Sequence, residues 1–325
     1  MKDLDKKDWQ ILELLCENSR LSHNQIAKRV ALSKNAATYR IKRLIQKKII
    51  SGFFTVIDHH LFGLDFYEVL IKLNANKQET QEFIEFIQKN NQVLVLDKLS
   101  GEWNFVLEFV CKSSSELSSF ISELKGKFSN ILDVYELHPI LESYKVEQLP
   151  IELIKNKPIR TFKEKLNRQK LKIDKKDRQL LLELNKDSSQ PLHLLAEKLK
   201  LTYETIAARI KKLKAAGIII KFTAKINLIS LGYDVYLLQL DLRNLSRETE
   251  NKLRDYIINH HQVRYAFMSA ASPKIFIYLA AKNTDELDLF MQQIKENFSE
   301  NIINIKYHLS KEQHKYELFT ESMLS

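Results

Sequence analysis

One segment of the sequence, Leu21 to Ile50, carries polar and cationic side chains at a spacing that suits contact with DNA. Ser33 is a good N-cap for a helix beginning at Lys34, and the free N–H groups at such a helix start attract phosphate. Amide, hydroxyl and guanidinium groups on the outward face can hydrogen-bond base edges in a major groove. The alternative is a solvated helix of an ordinary three-helix domain. The candidate DNA-contacting residues are Ser33, Lys34, Asn35, Thr38, Tyr39, Arg40, Lys42 and Arg43.

Three helices and a strand are predicted to position these side chains. Asp5 is expected to cap the first helix, with Asp8 at the third position of a capping-box arrangement. The aromatic and β-branched content after the third helix is typical of a strand, which we interpret as a hinge or wing. The third helix has an apolar stripe that predicts its buried face, formed by Ala37, Ile41, Leu44 and Ile45. The predicted elements are Lys6 to Cys16, Gln25 to Val30, Lys34 to Lys48 and Ser51 to Ile57.

Composition limits the classes of protein to which the chain can belong. Its 325 residues suffice for two or more domains. The formal charge of +10 and the pI near 9.3 favour a polyanionic partner. No apolar run approaches the length that spans a bilayer, and the charged first ten residues predict that a secretory signal is absent. Because the only cysteines are Cys16 and Cys111, we expect a cytoplasmic protein without a disulfide scaffold or a cysteine metal site. No cofactor is expected.

From Phe66 onward the pattern changes to strands and amphipathic helices. Apolar and polar residues alternate from Phe66 to Leu73, which predicts a strand with one buried face. Further strands are predicted at 93–99, 104–110 and 131–137, and helices at 79–89 and 117–128. This βαββαβ order predicts a ferredoxin-like sandwich with its helices on one face. An exposed face or edge of its sheet is expected to pair with another copy.

The second half of the chain repeats the first. Leu-Asp-Lys-Lys-Asp at 4–8 returns as Ile-Asp-Lys-Lys-Asp at 173–177, and Arg-Ile-Lys at 40–42 returns at 209–211. Roughly a third of the first seventy or so positions match without a gap, which indicates an internal duplication. The sandwich repeats as well, with Tyr236 to Leu242 in the phase of its first strand. The second set of candidate DNA-contacting residues is Thr202, Tyr203, Arg209, Lys211 and Lys212.

The predicted fold class is α+β, with two helix-turn-helix (winged-helix-like) domains and two ferredoxin-like domains in tandem. A basic segment punctuated by Pro150 and Pro158 separates the copies and is predicted to be helical from Arg160 to Leu171. It is interpreted either as a solvated tether or as a contact to DNA phosphates. The predicted domains are 1–58 and 173–227 (helix-turn-helix), 59–142 and 228–325 (ferredoxin-like) and 143–172 (linker).

Both halves resemble members of the leucine-responsive regulator family, the Lrp/AsnC transcription factors. Each half looks like one whole member, and the match depends on the order and spacing of short motifs over two copies. The resemblance implies a helix-turn-helix that reads DNA and a hinge strand. It also implies a ferredoxin-like dimerisation domain, called a RAM domain, that senses amino acids in many relatives. In the first copy the motifs are Leu4-Asp5 with Asp8, Ile26-Ala27, Leu32-Ser33, Arg40-Ile41 with Leu44, Ile49-Ile50 and Gly63.

The resemblance further implies an effector site in the loop between the second and third sandwich strands. Family members carry a glycine there and an aspartate three positions later, where this chain has Gly101 and Asn104. Asparagine keeps an acceptor but lacks the charge that would pair with an ammonium group. The second copy has Ala271 and Lys274 instead. The candidate residues for a small effector such as an amino acid are Gly101, Glu102, Trp103 and Asn104.

The two predicted recognition helices differ in chemistry. Glu204 places a negative charge where a phosphate or base edge would approach; it can accept from cytosine, but it also repels the DNA backbone. Gly217 follows the second helix as a C-cap, whereas the first copy has Lys48 there. A left-handed Lys48 would cost up to about 1 kcal/mol. We expect the first helix to be the better suited to DNA and the second the better formed.

The sequence therefore favours a sequence-specific DNA-binding transcriptional regulator at the nucleoid rather than an enzyme. Its sandwiches would self-associate within one chain or between chains, and would set two recognition helices about 34 Å apart. An in-chain pair would favour an asymmetric DNA site. A homodimer of whole chains would offer four recognition helices and restore a palindrome.

The alternative is an enzyme, because the architecture also resembles the siroheme decarboxylases, which bind a tetrapyrrole between sandwiches. Such a site needs histidine and arginine near the second and third strands of a sandwich. The first copy has neither from Val93 to Val110, and the second offers His260, His261 and Arg264. The histidine pairs are not expected to bind metal, since no third ligand lies at a recognisable spacing.

Overall fold

The structure is a computed structural model that describes residues 4–150, 173–243, 245–320 and 323, the side chains of His59 and His60 excepted. These residues fall into two compact units. Residues 4–61, 147–150 and 173–233 form the first unit, and residues 62–146 and 234–320 form the second. Both helix-turn-helix copies therefore belong to one unit, and both sandwich copies belong to the other.

The first helix-turn-helix copy has three helices followed by a strand. They are α1 (Lys6–Glu17), α2 (His23–Arg29), α3 (Lys34–Gln46) and β1 (Ile50–Ile57). Asp5 and Asp8 form the predicted capping box at α1, which satisfies the free backbone N–H groups of the first turn. Ser22 and Gln25 form a second box, so α2 begins at His23, earlier than predicted.

The remaining elements complete the first sandwich and both domains of the second copy. The first sandwich consists of β2 (Asp65–Leu73), α4 (Lys77–Lys89), β3 (Val93–Ser100), β4 (Phe105–Cys111), α5 (Ser114–Phe128) and β5 (Leu132–Val146). The second helix-turn-helix consists of α6 (Lys175–Lys186), α7 (Leu192–Leu199), α8 (Tyr203–Ala215) and β6 (Ile219–Ile226). The second sandwich consists of β7 (Asp234–Leu242), α9 (Arg247–Asn259), β8 (Val263–Ser269), β9 (Ile275–Ala281), α10 (Thr284–Asn297) and β10 (Ile302–Tyr316).

The apolar stripe of α3 is narrower than predicted. Ala37, Ile41 and Leu44 are buried, but Ile45 is 43% exposed, so its assignment to the core was wrong. Ile45 lies eight residues after Ala37, which places it about 80° further around the helix, at the margin of the stripe.

Helix α3 ends with a left-handed residue at Lys48, whose φ is 55°. The Lys48 N–H donates to the Ile45 carbonyl at 2.9 Å, and the Ile49 N–H donates to the Leu44 carbonyl at 3.0 Å. This pattern is a Schellman motif, in which glycine is the usual residue at the left-handed position. The second copy has Gly217 there, with φ 79°.

Replacing Lys48 by glycine is expected to raise the free energy of unfolding by up to about 1 kcal/mol, because glycine adopts a left-handed φ without a Cβ clash. Chemical denaturation of the variant and the wild type measures the difference. Lys47→Gly is the matched control, since Lys47 has φ −73° and glycine offers no relief there. A destabilised Lys48→Gly protein would contradict the prediction.

Strands β1 and β6 pair antiparallel and join the two helix-turn-helix copies about a local twofold axis. Phe54 lies opposite Thr223, its own counterpart in the duplication. Counterparts also meet at Ser19 and Ser188, whose buried Oγ atoms are 2.6 Å apart. The backbone N–H of each serine donates to a carbonyl of the other copy's strand at 3.1 Å. One chain thus builds the arrangement that a symmetric homodimer would have.

The two sandwiches together close an eight-stranded barrel with the strand order β10-β3-β4-β2-β5-β8-β9-β7. Strand β5 pairs with β2 and continues onto β8 of the other copy, while β10 pairs with β7 and continues onto β3. The Lys145 Nζ donates to the His260 carbonyl at 2.7 Å, and the Lys315 Nζ donates to the Asn90 carbonyl at 2.7 Å. Each ammonium group therefore caps the C-terminus of a helix in the opposite copy.

The prediction that β2 has a single buried face was wrong. Val69 and Ile71 pack beneath the helices in the core of the first sandwich. Glu68 and Leu70 on the opposite face are also 0% exposed. Barrel closure causes this burial, because the inner face of the sheet is covered by the strands of the second copy.

The predicted linker, 143–172, is described only in part. Strand β5 continues to Val146 and pairs with β8, so residues 143–146 belong to the sandwich rather than to a linker. Residues 151–172, including the predicted helix from Arg160 to Leu171, lie outside the described residues.

Candidate nucleic-acid interface

The first recognition helix, α3, presents a polar surface beyond its N-cap. The Ser33 Oγ accepts from the Ala36 N–H at 3.1 Å, so this predicted contact residue also caps the helix. The Thr38 Oγ1 donates to the Lys34 carbonyl at 2.8 Å and lies 2.9 Å from the His23 Nδ1. Partial burial, together with nearby lysines, lowers the pKa of His23, which the sequence reasoning had not singled out. Beyond the cap, the predicted contact residues that remain exposed are Lys34, Asn35, Tyr39 and Lys42.

Two predicted contact residues of α3 are engaged inside the domain. The Arg40 guanidinium lies 2.7 Å from an Asp5 carboxylate oxygen and 2.9 Å from an Asp8 oxygen, and Arg43 also forms an ion pair with Asp8. The Asp8 side chain is completely buried. Hydrogen bonds from the Asp8 N–H and from Arg40 lower the pKa of Asp5. The aspartates at the start of α1 therefore hold α3 in place.

The second recognition helix, α8, is anchored in the same way. Arg209 lies 2.7 Å from Asp174 and 2.6 Å from Asp177, while Lys212 lies 3.6 Å from Asp177. The Thr202 Oγ1 accepts from the Thr205 N–H at 3.2 Å and caps the helix. Beyond the cap, the exposed polar and aromatic side chains are Tyr203, Glu204, Lys211, Lys212 and Lys214, with Tyr203 at 53%.

The predicted effector loop between β3 and β4 depends on Asn104 for its own structure. The Asn104 Oδ1 accepts from the Leu73 N–H at 2.7 Å, so this side chain ties the loop to β2. Gly101 has φ 113°, and a Cβ there would lie 3.2 Å from the His308 Nδ1. Both the backbone and the available space therefore favour glycine at this position.

The same loop borders a cavity of about 150 Å³ in the barrel unit. Trp103 is 4% exposed, and the Glu102 carboxylate pairs with the Lys306 Nζ at 3.2 Å. Carboxylates, an amide, a hydroxyl and an ammonium group meet in the lining. The lining residues are Trp103, Glu136, Gln239, Asp241, Ser272, Pro273 and Lys306.

Two histidines at this end of the barrel were missed by sequence reasoning. His138 and His308, at equivalent positions of β5 and β10, are each 3% exposed. The His138 Nε2 lies 3.1 Å from the Glu136 carboxylate, and the His308 Nε2 lies 3.1 Å from the Gln239 amide oxygen. Within the described residues each Nδ1 is buried without a hydrogen-bond partner. The repeated histidine, at a spacing of 170 residues, was the available signal.

The described residues contain no cluster of three or more histidine, cysteine or carboxylate side chains placed to hold a metal ion. His260 stacks on His261 with ring centroids 4.7 Å apart, and burial lowers its pKa to about 4. No membrane-crossing helix is found among the described helices.

Three parts of the chain match known domain families. Residues 4–51 match the winged helix-turn-helix DNA-binding family, residues 173–214 the AsnC-type helix-turn-helix domain, and residues 68–149 the Lrp/AsnC ligand binding domain. The fold and these matches define a helix-turn-helix transcriptional regulator. Its α+β domain is of the type that binds ligands in Lrp/AsnC proteins.

Relatives narrow this class to one family. The HTH-type transcriptional regulator AldR of Mycobacterium tuberculosis is 30% identical over 124 residues, which are 37% of this chain and 69% of that protein. The proline dehydrogenase transcriptional activator of Rhizobium radiobacter is 31% identical over 135 residues, which are 41% of this chain and 84% of that protein. The chain belongs to the Lrp/AsnC family of DNA-binding transcriptional regulators.

A solved structure resembles the duplicated architecture as a whole. The siroheme decarboxylase NirDL superposes with a TM-score of 0.65 and covers 98% of this chain and 96% of its own, at 13% sequence identity. At that identity the likeness establishes the fold alone.

Proposed function

We propose that this chain regulates transcription in the cytoplasm by binding double-stranded DNA with both recognition helices of its first unit. The observation that carries the proposal is the pairing of two helix-turn-helix copies about one local twofold axis. We expect such a pairing to present two recognition helices to successive turns of one face of a duplex. The anchored arginines, Arg40, Arg43 and Arg209, would hold these helices, and the exposed lysines would meet phosphates and bases.

Binding of genomic fragments over a salt series tests this function. A protein that neutralises phosphates loses affinity steeply as salt rises, with a slope of about −0.9 per phosphate contact in a log–log plot. We expect a small set of fragments to remain bound above the level of random DNA. Retention of no fragment above that level would refute the proposed function.

Within this function, Lys34→Ala combined with Asn35→Ala is expected to weaken specific binding more than Tyr203→Ala combined with Glu204→Ala. The first pair removes a cation and a base-reading amide, whereas the second also removes a carboxylate that repels phosphate. Affinities of both double variants for one selected fragment measure the difference. Equal losses would show that the two helices contribute alike.

The cavity beside Trp103 is proposed to bind a small zwitterion such as an amino acid. Glu136 and Asp241 suit an ammonium group, and Lys306 suits a carboxylate. In a Trp9→Phe background, Trp103 is the only tryptophan left, so its fluorescence reports on this cavity. A saturable change with one member of an amino-acid panel, abolished by Asp241→Asn, supports the site; no change with any member contradicts it.

Because the fold resembles that of NirDL, a tetrapyrrole enzyme is the second candidate function. The cavity of about 150 Å³ is smaller than sites for drug-sized ligands, which occupy roughly 300–1,000 Å³. The His260 and His261 rings stack on each other, and Arg264 is only 8% exposed. We therefore propose that the chain is not an enzyme. Uptake of siroheme with a changed absorbance spectrum would overturn this.

A further inference from the structure

The two recognition helices occupy equivalent places on a twofold scaffold. Phe54 and Thr223 pair on the axis, as do Ser19 and Ser188. The aspartate–arginine anchor is also duplicated, with distances of 2.7 and 2.9 Å in one copy and 2.7 and 2.6 Å in the other. The twofold pairing and the aspartate–arginine anchor are thus shared by the two copies, whereas the exposed side chains of the two recognition helices are not.

Those exposed side chains differ at each outward position of the first two turns. In the first copy these side chains are a lysine, an asparagine, a threonine and a tyrosine. In the second copy they are a tyrosine, a glutamate and two alanines. The equivalent pairs are Lys34 and Tyr203, Asn35 and Glu204, Thr38 and Ala207, and Tyr39 and Ala208.

Asn35 and Glu204 are the pair with the clearest opposite preference. Asparagine can bond an adenine through its N6 and N7 atoms, whereas glutamate can only accept, and cytosine N4 is the donor that the major groove offers to it. In the described part of the chain the Glu204 carboxylate has no hydrogen-bond or ion-pair partner. Ala207 and Ala208 on the following turn leave space for a base edge to approach it.

We infer that the chain recognises a non-palindromic DNA site, with one half-site read by α3 and an unlike half-site read by α8, where Glu204 selects cytosine. This inference rests on the proposed function, because it concerns the DNA which that function binds. Lys211 and Lys214 on later turns of α8 supply the phosphate attraction that offsets the Glu204 charge.

Selection of sites from random duplexes by the full chain tests the inference. We expect a bipartite, non-palindromic consensus, with discrimination for cytosine at one position of the second half-site of about 5- to 150-fold. Glu204→Gln should abolish that discrimination and leave the first half-site unchanged. Glu197→Gln is the matched control, since it removes the same charge from an exposed position of α7.

A second variant tests the same inference by making α8 more like α3. Tyr203→Lys combined with Glu204→Asn gives α8 two of the outward residues of α3, and its selected site should move towards a palindrome. A palindromic consensus for the wild type, or an unchanged consensus in Glu204→Gln, overturns the inference while the proposed function stands. If the wild type selects no consensus, the proposed function itself fails.

Discussion

Replacing Asp8 by alanine is expected to lower the free energy of unfolding of the helix-turn-helix unit by about 3 kcal/mol, because removing one partner of a buried ion pair leaves the others unpaired. The Asp8 side chain is fully buried and pairs with both Arg40 and Arg43. It also accepts from the Asp5 N–H as part of the capping box. The change therefore removes a helix cap and the anchor of α3 together.

Chemical denaturation followed by Trp9 fluorescence in a Trp103→Phe background measures this loss, since Trp9 lies in α1 next to Asp8. Asp5→Ala is the matched control, because the Asp5 side chain is 55% exposed and its removal should cost only about 1 kcal/mol. Equal losses of unfolding free energy in the two variants would show that burial of Asp8 does not determine its contribution to stability.

The second large effect concerns two carboxyl groups in the barrel. Glu68 lies directly opposite Glu108 across β2 and β4, and accepts from the Tyr278 hydroxyl at 3.0 Å. Burial, and then the neighbouring Glu108, raise the pKa of Glu68 well above its usual value. Burial and Asp97 raise the pKa of Glu108 to about 8. The second copy has Leu237 and Tyr278 at the positions of these two glutamates.

Both glutamates have a higher pKa in the folded chain than in the unfolded chain, so the folded protein binds more protons. The contribution of Glu108 to stability is fully present below the usual pKa of 4.5 and is lost as the pH rises through about 8, and the contribution of Glu68 is lost in the same direction, as the pH rises through its own raised pKa. Glu68→Gln keeps an acceptor for Tyr278 and removes the charge. We expect it to stabilise the barrel unit at pH 9, where an ionised carboxylate would have to be buried, and to change its stability little at pH 5.

Denaturation at both pH values checks this expectation. Glu123→Gln serves as the control, since Glu123 is exposed on α5 and the same charge is removed without a change inside the barrel. The prediction fails if Glu68→Gln destabilises the protein at pH 9 or shows the same effect at pH 5.

Local sequence patterns predicted the helices and strands well, because the interactions that form each of them join residues close together in the sequence. Asp5 and Asp8 cap α1 through bonds within one turn, and each predicted strand of the first sandwich overlaps an observed strand. The contacts of Arg40 could not be predicted, because its partner Asp8 lies 32 residues earlier and only the folded domain brings them together. Burial of Glu68 depends on barrel closure by the other copy, which the alternation within one strand cannot reveal.

The functional prediction depends on positions at which the two copies differ. Positions at which they are identical contribute to the shared scaffold. Ser19 and Ser188 are identical, and their side chains hydrogen-bond to each other between the two copies. Asn35 and Glu204 differ on exposed surfaces where folding makes no demand on side-chain type. Sequence comparison of the copies could rank the two recognition helices, but the base that each one reads depends on a contact with DNA.

Hydroxyl-radical footprinting of the intact protein on one selected fragment is the most direct test that a single chain reads DNA through two paired helices. We expect protection of two segments about one helical turn, 10–10.5 base pairs, apart. Protection of one segment should weaken in Lys34→Ala with Asn35→Ala, and protection of the other in Glu204→Gln. A single protected segment, or protection that both variants leave unchanged, would contradict it.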